Sequence, residues 1–331
     1  MLLFEKYRPK DFKNAKLNLN KIKQIKNIST TDSFHNVFIY GGLGSGKYTT
    51  ALMILQSIYG NDIYNKSQKR FDYIIGNSQK SLELTCSKYH YEIYFNDNYD
   101  YDYNIIIEFI KDVSRTCNII NNSYKVILLR NIQFLNKTMY EVIKNICEKY
   151  YNHCKFIFIS NSLSHVPKIM FGFCFFIRIS LNDQKQELED FISNICTKEK
   201  IVMNENKLEK LIKKYKYNLN MIFSNLQLIK QNKNYNMIDP VELRYKKIIT
   251  LIKKNDVTKI NDIRKELYEL TACNINKYDF ILYLFEYFME ITSNKEELTS
   301  FTNSIFTKMC KSYRDLFHLE YYVMNLLNHT T

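Results

Sequence analysis

Residues 41–48 read GGLGSGKY and hold four of the seven glycines in the chain, Gly41, Gly42, Gly44 and Gly46. A backbone this sparing with glycine concentrates it where the chain must take conformations closed to other residues. The run fits the G-x-x-x-x-G-K-[S/T] pattern through Lys47, with Leu43 and Ser45 at unconstrained positions. Its chemistry is the cradling of phosphate: amide N–H groups turn inward, the Lys47 ammonium lies along the outer oxygens, and the positive end of the next helix assists. The eighth position calls for a Ser or Thr hydroxyl on Mg²⁺, and it is Tyr48. A phenol on a long rigid arm cannot take that place. Thr49 carries the right group, but one helical step turns it about 100° around the axis. The loop is therefore expected to bind ATP or ADP with poor control of Mg²⁺.

A hydrolysing site also needs an apolar strand ending in carboxylates that order metal-bound water and polarise the attacking one. The candidate strand, KVILL (125–129), is followed by Arg130, Asn131, Ile132 and Gln133. Arg130 puts a positive charge where a metal-ordering carboxylate belongs, and Asn131 is no base. The run IIIE (105–108) has no preceding Asp and leads into helical pattern. The sequence supplies no carboxylate near the phosphates in the expected place.

Several short apolar runs must position these groups: NVFIY (36–40), KVILL, KFIFIS (155–160) and FFIRI (175–179). Runs apolar on both faces suit the interior of a parallel sheet. Between two of them Val142, Ile143, Ile146, Cys147 and Tyr150 repeat at helical spacing, a βαβ rhythm. LELTC (82–86) and HYEIYF (90–95) read as a hairpin, and NDNYDYDYN (96–104) as an exposed loop. Beyond Ser180 strand signals stop. Leu208, Leu211, Ile212 and Tyr215 mark an amphipathic helix. QNKNYNMIDP, ending at Pro240, reads as a linker before a long helical region. The expected organisation is α/β plus all-α: a nucleotide-binding domain over 1–180, a helical lid over 181–236 and a C-terminal helical domain over 237–331.

The chain has 331 residues, 46% hydrophobic and 15% aromatic, enough for a large core and against global disorder. No apolar run reaches the roughly 18–20 residues of a membrane span, and MLLFEKYRPK places charges where a signal peptide needs an apolar stretch. A soluble intracellular protein is expected. Eight scattered Cys lack the pairing of a tetrahedral zinc site and read as buried reduced thiols. A net charge of +13 suits a polyanionic partner or a well-solvated surface. The many Tyr and Phe sit mostly at core spacing, so base stacking is not inferred from them.

The chain resembles the small subunits of eukaryotic replication factor C, the AAA+ sliding-clamp loader, nearly end to end. FEKYRP (4–9) is similar to the family's N-terminal segment against the adenine, which brings in Tyr7, Arg8 and Pro9. CEKY (147–150) resembles its MEKY, and FISNS (158–162) its sensor strand, with Asn161 on the sensor asparagine. Within the family, the subunit whose loop reads GKKT shares the displaced threonine. LELTCSKYHYEI (82–93), IRKELYELTACNI (263–275) and FHLEYYV (317–323) resemble its hairpin, collar helix and last helix.

The departures from the family are equally specific. Its Asp-Glu-x-Asp motif falls on Arg130, Asn131 and Gln133, and the arginine of its Ser-Arg-Cys motif on Phe173. MFGFCFF around Phe173 fits either the buried start of a strand or a dry subunit contact. The second-sensor arginine falls on Asn220. Each lost group acts by placing charge on the transferring phosphoryl, and losing one arginine finger alone costs about 10³-fold or more in rate.

The resemblance therefore implies a non-catalytic ring member with ATP or ADP held rather than turned over. Implied partners are the other replication factor C subunits of a hetero-pentamer, the sliding clamp and primer–template DNA, with no membrane. One basic candidate for phosphate contact, Lys144, stays where the family has paired arginines. A nuclear home follows from the resemblance alone, and a viral factory or reduced nucleus fits as well. The competing readings are a stand-alone P-loop NTPase and a basic DNA-binding protein with salt-sensitive affinity.

Overall fold

A computed structural model describes residues 2–29, 35–76, 78–96, 102–116, 124–164, 166–201, 203–231, 240–253, 260–273, 275–292, 294–312 and 314–329. The chain forms two compact units, Met1–Asn234 and Tyr235–Thr331.

The first unit is built on a seven-stranded sheet. The strands are β1 (Val37–Tyr40), β2 (Ser67–Ile75), β3 (Ser78–Cys86), β4 (His90–Tyr94), β5 (Lys125–Arg130), β6 (Cys154–Ser160) and β7 (Phe175–Arg178), in the order β2-β3-β4-β5-β6-β1-β7. From β4 to β7 every neighbour is parallel, whereas β2 and β3 add an antiparallel edge. The sheet is thus mixed rather than wholly parallel. β2 has no counterpart among the apolar runs because its residues are mostly exposed.

Alternation along the central strands assigns two faces. Phe38, Ile127, Leu129, Phe156 and Phe158 pack with α4 (Tyr103–Arg115) and α5 (Lys137–Lys149). Val37, Ile39, Val126, Leu128, Ile157 and Ile159 pack with α3 (Lys47–Tyr59). Ile93 on β4 and Phe95 just after it join the first face. His90 and Glu92 therefore point to the α3 side, which brings a carboxylate to the start of α3. β4 pairs with β5 over its whole length, Glu92 opposite Leu128 and Tyr94 opposite Arg130. It is an interior strand and not merely half of a hairpin.

Local signals set the helix ends. Asp102 and Asn136 accept backbone N–H bonds at the starts of α4 and α5. The segment read as a loop over 96–104 thus runs into a helix at Tyr103, and its residues 97–101 lie outside the described residues. The helices α1 (Leu3–Lys6) and α2 (Leu19–Ser29) precede β1, and α6 (Lys185–Lys198), α7 (Glu205–Lys214) and α8 (Leu219–Gln231) follow β7.

The second unit holds α9 (Pro240–Lys253), α10 (Ile260–Ala272), α11 (Lys277–Ile291), α12 (Lys295–Lys311) and α13 (Asp315–His329) around Ile252, Leu267, Leu284, Ile305 and Tyr322. Arg264 of α10 pairs with Glu320 of α13 through two bonds, at 2.7 and 3.3 Å. Pro240 opens α9 where its missing N–H costs nothing. The linker read before it lies at 232–239, outside the described residues, as does Cys117. Cys86, Cys147, Cys154 and Cys196 are buried free thiols. Cys273 and Cys310 are free but exposed, against the reading that all were buried.

Candidate nucleotide-binding site

The turn from β1 into α3 supplies the phosphate loop. Gly46 takes a left-handed φ of 95° at the head of α3, and Gly44 takes 66°. A Cβ on Gly44 would overlap Asn218 Oδ1 and crowd Leu219 N, so only glycine lets the start of α8 approach. That approach is direct: Leu219 N donates to Gly44 O at 3.2 Å, while Asn218 Oδ1 caps α8 by accepting from Asn220 N at 3.1 Å.

One cleft of about 350 Å³ gathers most of the sequence-predicted residues. Leu43, Gly44, Ser45, Gly46, Lys47, Tyr48 and Thr49 line it together with Tyr7, Arg8 and Pro9 of the N-terminal segment and with Arg130, Asn131, Asn161 and Asn220. Gly41 and Gly42 sit just behind, their carbonyls accepting from Lys47 Nζ at 2.9 and 2.6 Å. Lys47 is buried with no carboxylate on it, and burial lowers its ammonium to about 8. Ser45 Oγ is buried and has no partner among the described residues. A cation resting on peptide oxygens beside an orphaned hydroxyl is what anionic phosphate oxygens would satisfy. The residues fit a nucleotide.

They do not fit Mg²⁺. The Tyr48 hydroxyl reaches past the metal position to Glu92, 3.0 Å from both carboxylate oxygens, and accepts from Lys66 Nζ at 2.6 Å. Glu92 was not expected: the sequence reading found no carboxylate here, and β4 delivers one. Its oxygens are already engaged, Oε1 by Lys66 at 2.6 Å and His90 Nε2 at 3.0 Å, Oε2 with Arg130 at 3.7 Å. Burial alone would push the Glu92 carboxyl up, but the His90 hydrogen bond and the Lys66 ammonium outweigh it and hold it at about 2. The Arg130 guanidinium stacks on the Tyr48 ring, 3.9 Å from its centroid. Among the described residues no group of three or more His, Cys, Asp or Glu could hold a metal ion.

Other positions have changed task or place. Gln133 Oε1 accepts from Ser160 Oγ and from Asn161 N, both at 3.2 Å, and so anchors the backbone of Asn161. Asn131 takes the left-handed conformation that asparagine tolerates, with φ 58°. Phe173 lies away from the cleft and packs inward on the α4–α5 core. The exposed rings nearby are Phe171 and Phe175. Lys144 pairs along α5 with Glu148 at 3.1 Å.

Sequence reasoning also missed the node that holds the rim. Glu199, just past α6, accepts from Lys6 Nζ, Tyr7 Oη and Lys230 Nζ, each at 2.6 Å. Hydrogen bonds from Lys230, Lys6 and Tyr7 hold its carboxyl at about 2, while burial and Glu199 raise Tyr7 to about 12. Leu3 N adds a bond to Gln227 of α8 at 3.2 Å. Phe191 of α6 and Phe223 of α8 meet edge to face and complete an apolar wall of the cleft.

No protein-family model matches the chain. It is 22% identical to a replication factor C small subunit of Acanthamoeba polyphaga mimivirus, over 99% of this chain and 90% of that one. It is also 22% identical to replication factor C subunit 5 of Saccharomyces cerevisiae, over 98% of both, and 26% identical to replication factor C subunit 3 of Mus musculus, over 66% of this chain and 62% of that one. Among solved structures, a DNA polymerase III gamma subunit-related protein of Thermotoga maritima shares the fold with a TM-score of 0.51 and 10% identity, over 93% of this chain and 99% of that one. No helix among the described residues is long and apolar enough to cross a membrane. Along nearly its whole length the chain is homologous to the small subunits of replication factor C.

Proposed function

We propose that the chain is a non-hydrolysing small subunit of a replication factor C-type clamp loader. It holds ATP or ADP as a structural element beside ATP-hydrolysing neighbours that open the sliding clamp for primer–template DNA. The observation that carries this reading is the pairing of a kept cradle with a replaced reaction centre. Lys47, Ser45 and the Gly44–Gly46 turn are in place, while Arg130 stacks on Tyr48 where a metal and its carboxylate belong. Bound nucleotide would bring anionic phosphates to Lys47 and a flat base to the apolar wall of Phe191 and Phe223.

In this reading residues 1–180 bind, 181–236 act as the lid that meets Gly44, and 237–331 form the collar that joins the ring. Lys144 is the one candidate contact to duplex phosphates, acting in the nucleus or wherever the served DNA is copied. The test is nucleotide binding and turnover by the purified chain, with Lys47→Ala as control. The reading predicts binding that is lost in the variant and no turnover. Measurable hydrolysis by the chain alone would overturn it.

A further inference from the structure

We propose that Arg130, stacked on Tyr48 and backed by Glu92 and Lys66, stands in for the divalent cation, so that this site takes a nucleoside di- or triphosphate in metal-free form. The inference rests on the reading that the cleft holds nucleotide.

A site that uses a divalent cation offers it free oxygen donors, usually a hydroxyl and one or two carboxylates among retained waters. Here the only hydroxyl at the required loop position is a phenol pulled back onto Glu92 and Lys66. Glu92 is the carboxylate of the cluster, and its oxygens already face Lys66, His90, Tyr48 and Arg130. A metal ion would have to displace the Tyr48 hydroxyl and compete with Lys66 and Arg130 for these oxygens. The charge balance runs the other way as well. Lys66 and Arg130 share one carboxylate and Lys47 adds a further cation on the loop carbonyls, so the charge around the loop is positive before any ligand arrives.

Arg130 is suited to the substitute role. It closes β5 and lines the same cleft as Lys47, with 30% of its side chain exposed. Its ion pair with Glu92 is long, at 3.7 Å, so most of its N–H donors remain for another anion. Stacking on the Tyr48 ring fixes the guanidinium plane, and a fixed fork suits phosphate better than a mobile ammonium. The replacement of Ser or Thr by Tyr and of a carboxylate by Arg thus reads as one coupled change. The phenol gives the guanidinium its platform, and the guanidinium supplies the charge that the phenol cannot coordinate.

The test is equilibrium binding of ADP to the full chain in EDTA and in excess Mg²⁺, for wild type, Lys47→Ala, Arg130→Met and Arg130→Lys. Wild-type affinity should agree within about twofold between the two conditions. Arg130→Met should weaken binding about tenfold in EDTA, the size of one charge-assisted contact to phosphate. Arg130→Lys should recover part of that loss, which shows that charge and not folding is being read. A wild-type affinity that rises about tenfold with Mg²⁺ while still depending on Lys47 would overturn this inference and leave the nucleotide reading standing. Absence of binding in both conditions would overturn both.

Discussion

Two carboxylates in the first unit are each gripped by several cations, and they do opposite things. Glu92 sits on an interior strand among Lys66, His90, Tyr48 and Arg130, where it holds the phenol and the guanidinium in place at the head of α3. Glu199 sits between Lys6, Tyr7 and Lys230 and fastens the N-terminal segment to the end of α6 and to α8. The first fixes the side chains that face the phosphate loop. The second keeps the walls of the cleft together. The two tasks rest on separate charge clusters, so each can be broken without the other.

The sharpest break in that comparison is Glu92→Gln. It leaves Lys66 and Arg130 without their counter-charge in a buried setting, where removing one partner costs on the order of 3 kcal/mol or more. The measurement is chemical denaturation, read from the transition of the first unit, since two units need not unfold together. Acid should act similarly. The Glu92 carboxyl is held at about 2 in the folded chain, below the ordinary range near 4.3, so its contribution is full above that range and lost as pH falls toward 2. A Glu92→Gln chain as stable as wild type would mean that the cluster is not a unit.

Glu199→Gln should spare the sheet and open the rim. Lys6 and Tyr7 lose their shared acceptor, so trypsin should cut after Lys6 faster, and ADP affinity should fall roughly tenfold as the wall must be ordered at binding. If cleavage there were unchanged, the node would hold nothing that nucleotide uses.

The phosphate loop and the central strands were legible because each is a local pattern: glycine spacing for one, unbroken apolar runs for the other. The clusters were not, because they depend on which strands become neighbours. Glu92 carries a faint local signal, alternating with Tyr91 and Ile93 in HYEIY, but only the placement of β4 beside β5 turns it toward Tyr48. β2 escaped for the opposite reason. Its Ile74 is exposed and its first four residues are polar, so its apolar period is confined to the half-buried Phe71, Tyr73 and Ile75. Glu199 follows the last turn of α6 and reads there as an ordinary helix-end charge. The departures at 48, 130 and 220 were visible as changes of residue type, but the sequence could not say that Tyr48 and Arg130 had been joined.

Lys47 provides a smaller and reversible test of the binding half. Burial lowers its ammonium to about 8, and phosphate beside it would raise that value, so proton uptake accompanies binding above pH 8. ADP affinity should be nearly flat below that point and fall about fivefold between pH 8 and pH 9, as the charged fraction drops from one half to about one in eleven. Arg130→Met should keep the same profile at lower affinity, since the titrating group is Lys47. A flat profile through pH 9 would mean that Lys47 is not the group that meets the phosphates.

The smallest effect belongs to Gln133, which joins the two halves. Its position is one that should serve the reaction, yet its Oε1 holds the backbone of Asn161 and the Ser160 hydroxyl at 3.2 Å each. Gln133→Leu removes both bonds without touching the cleft floor, so ADP affinity should drop only about threefold, within the range of a single neutral hydrogen bond. The informative quantity is the coupling with Asn161→Ala. If Gln133 acts by placing Asn161, the double variant should bind no more weakly than Asn161→Ala alone, and the cycle should return nearly the whole Gln133 effect as interaction. Additive losses would instead give Gln133 its own path to the ligand and return that position to the reactive half of the site.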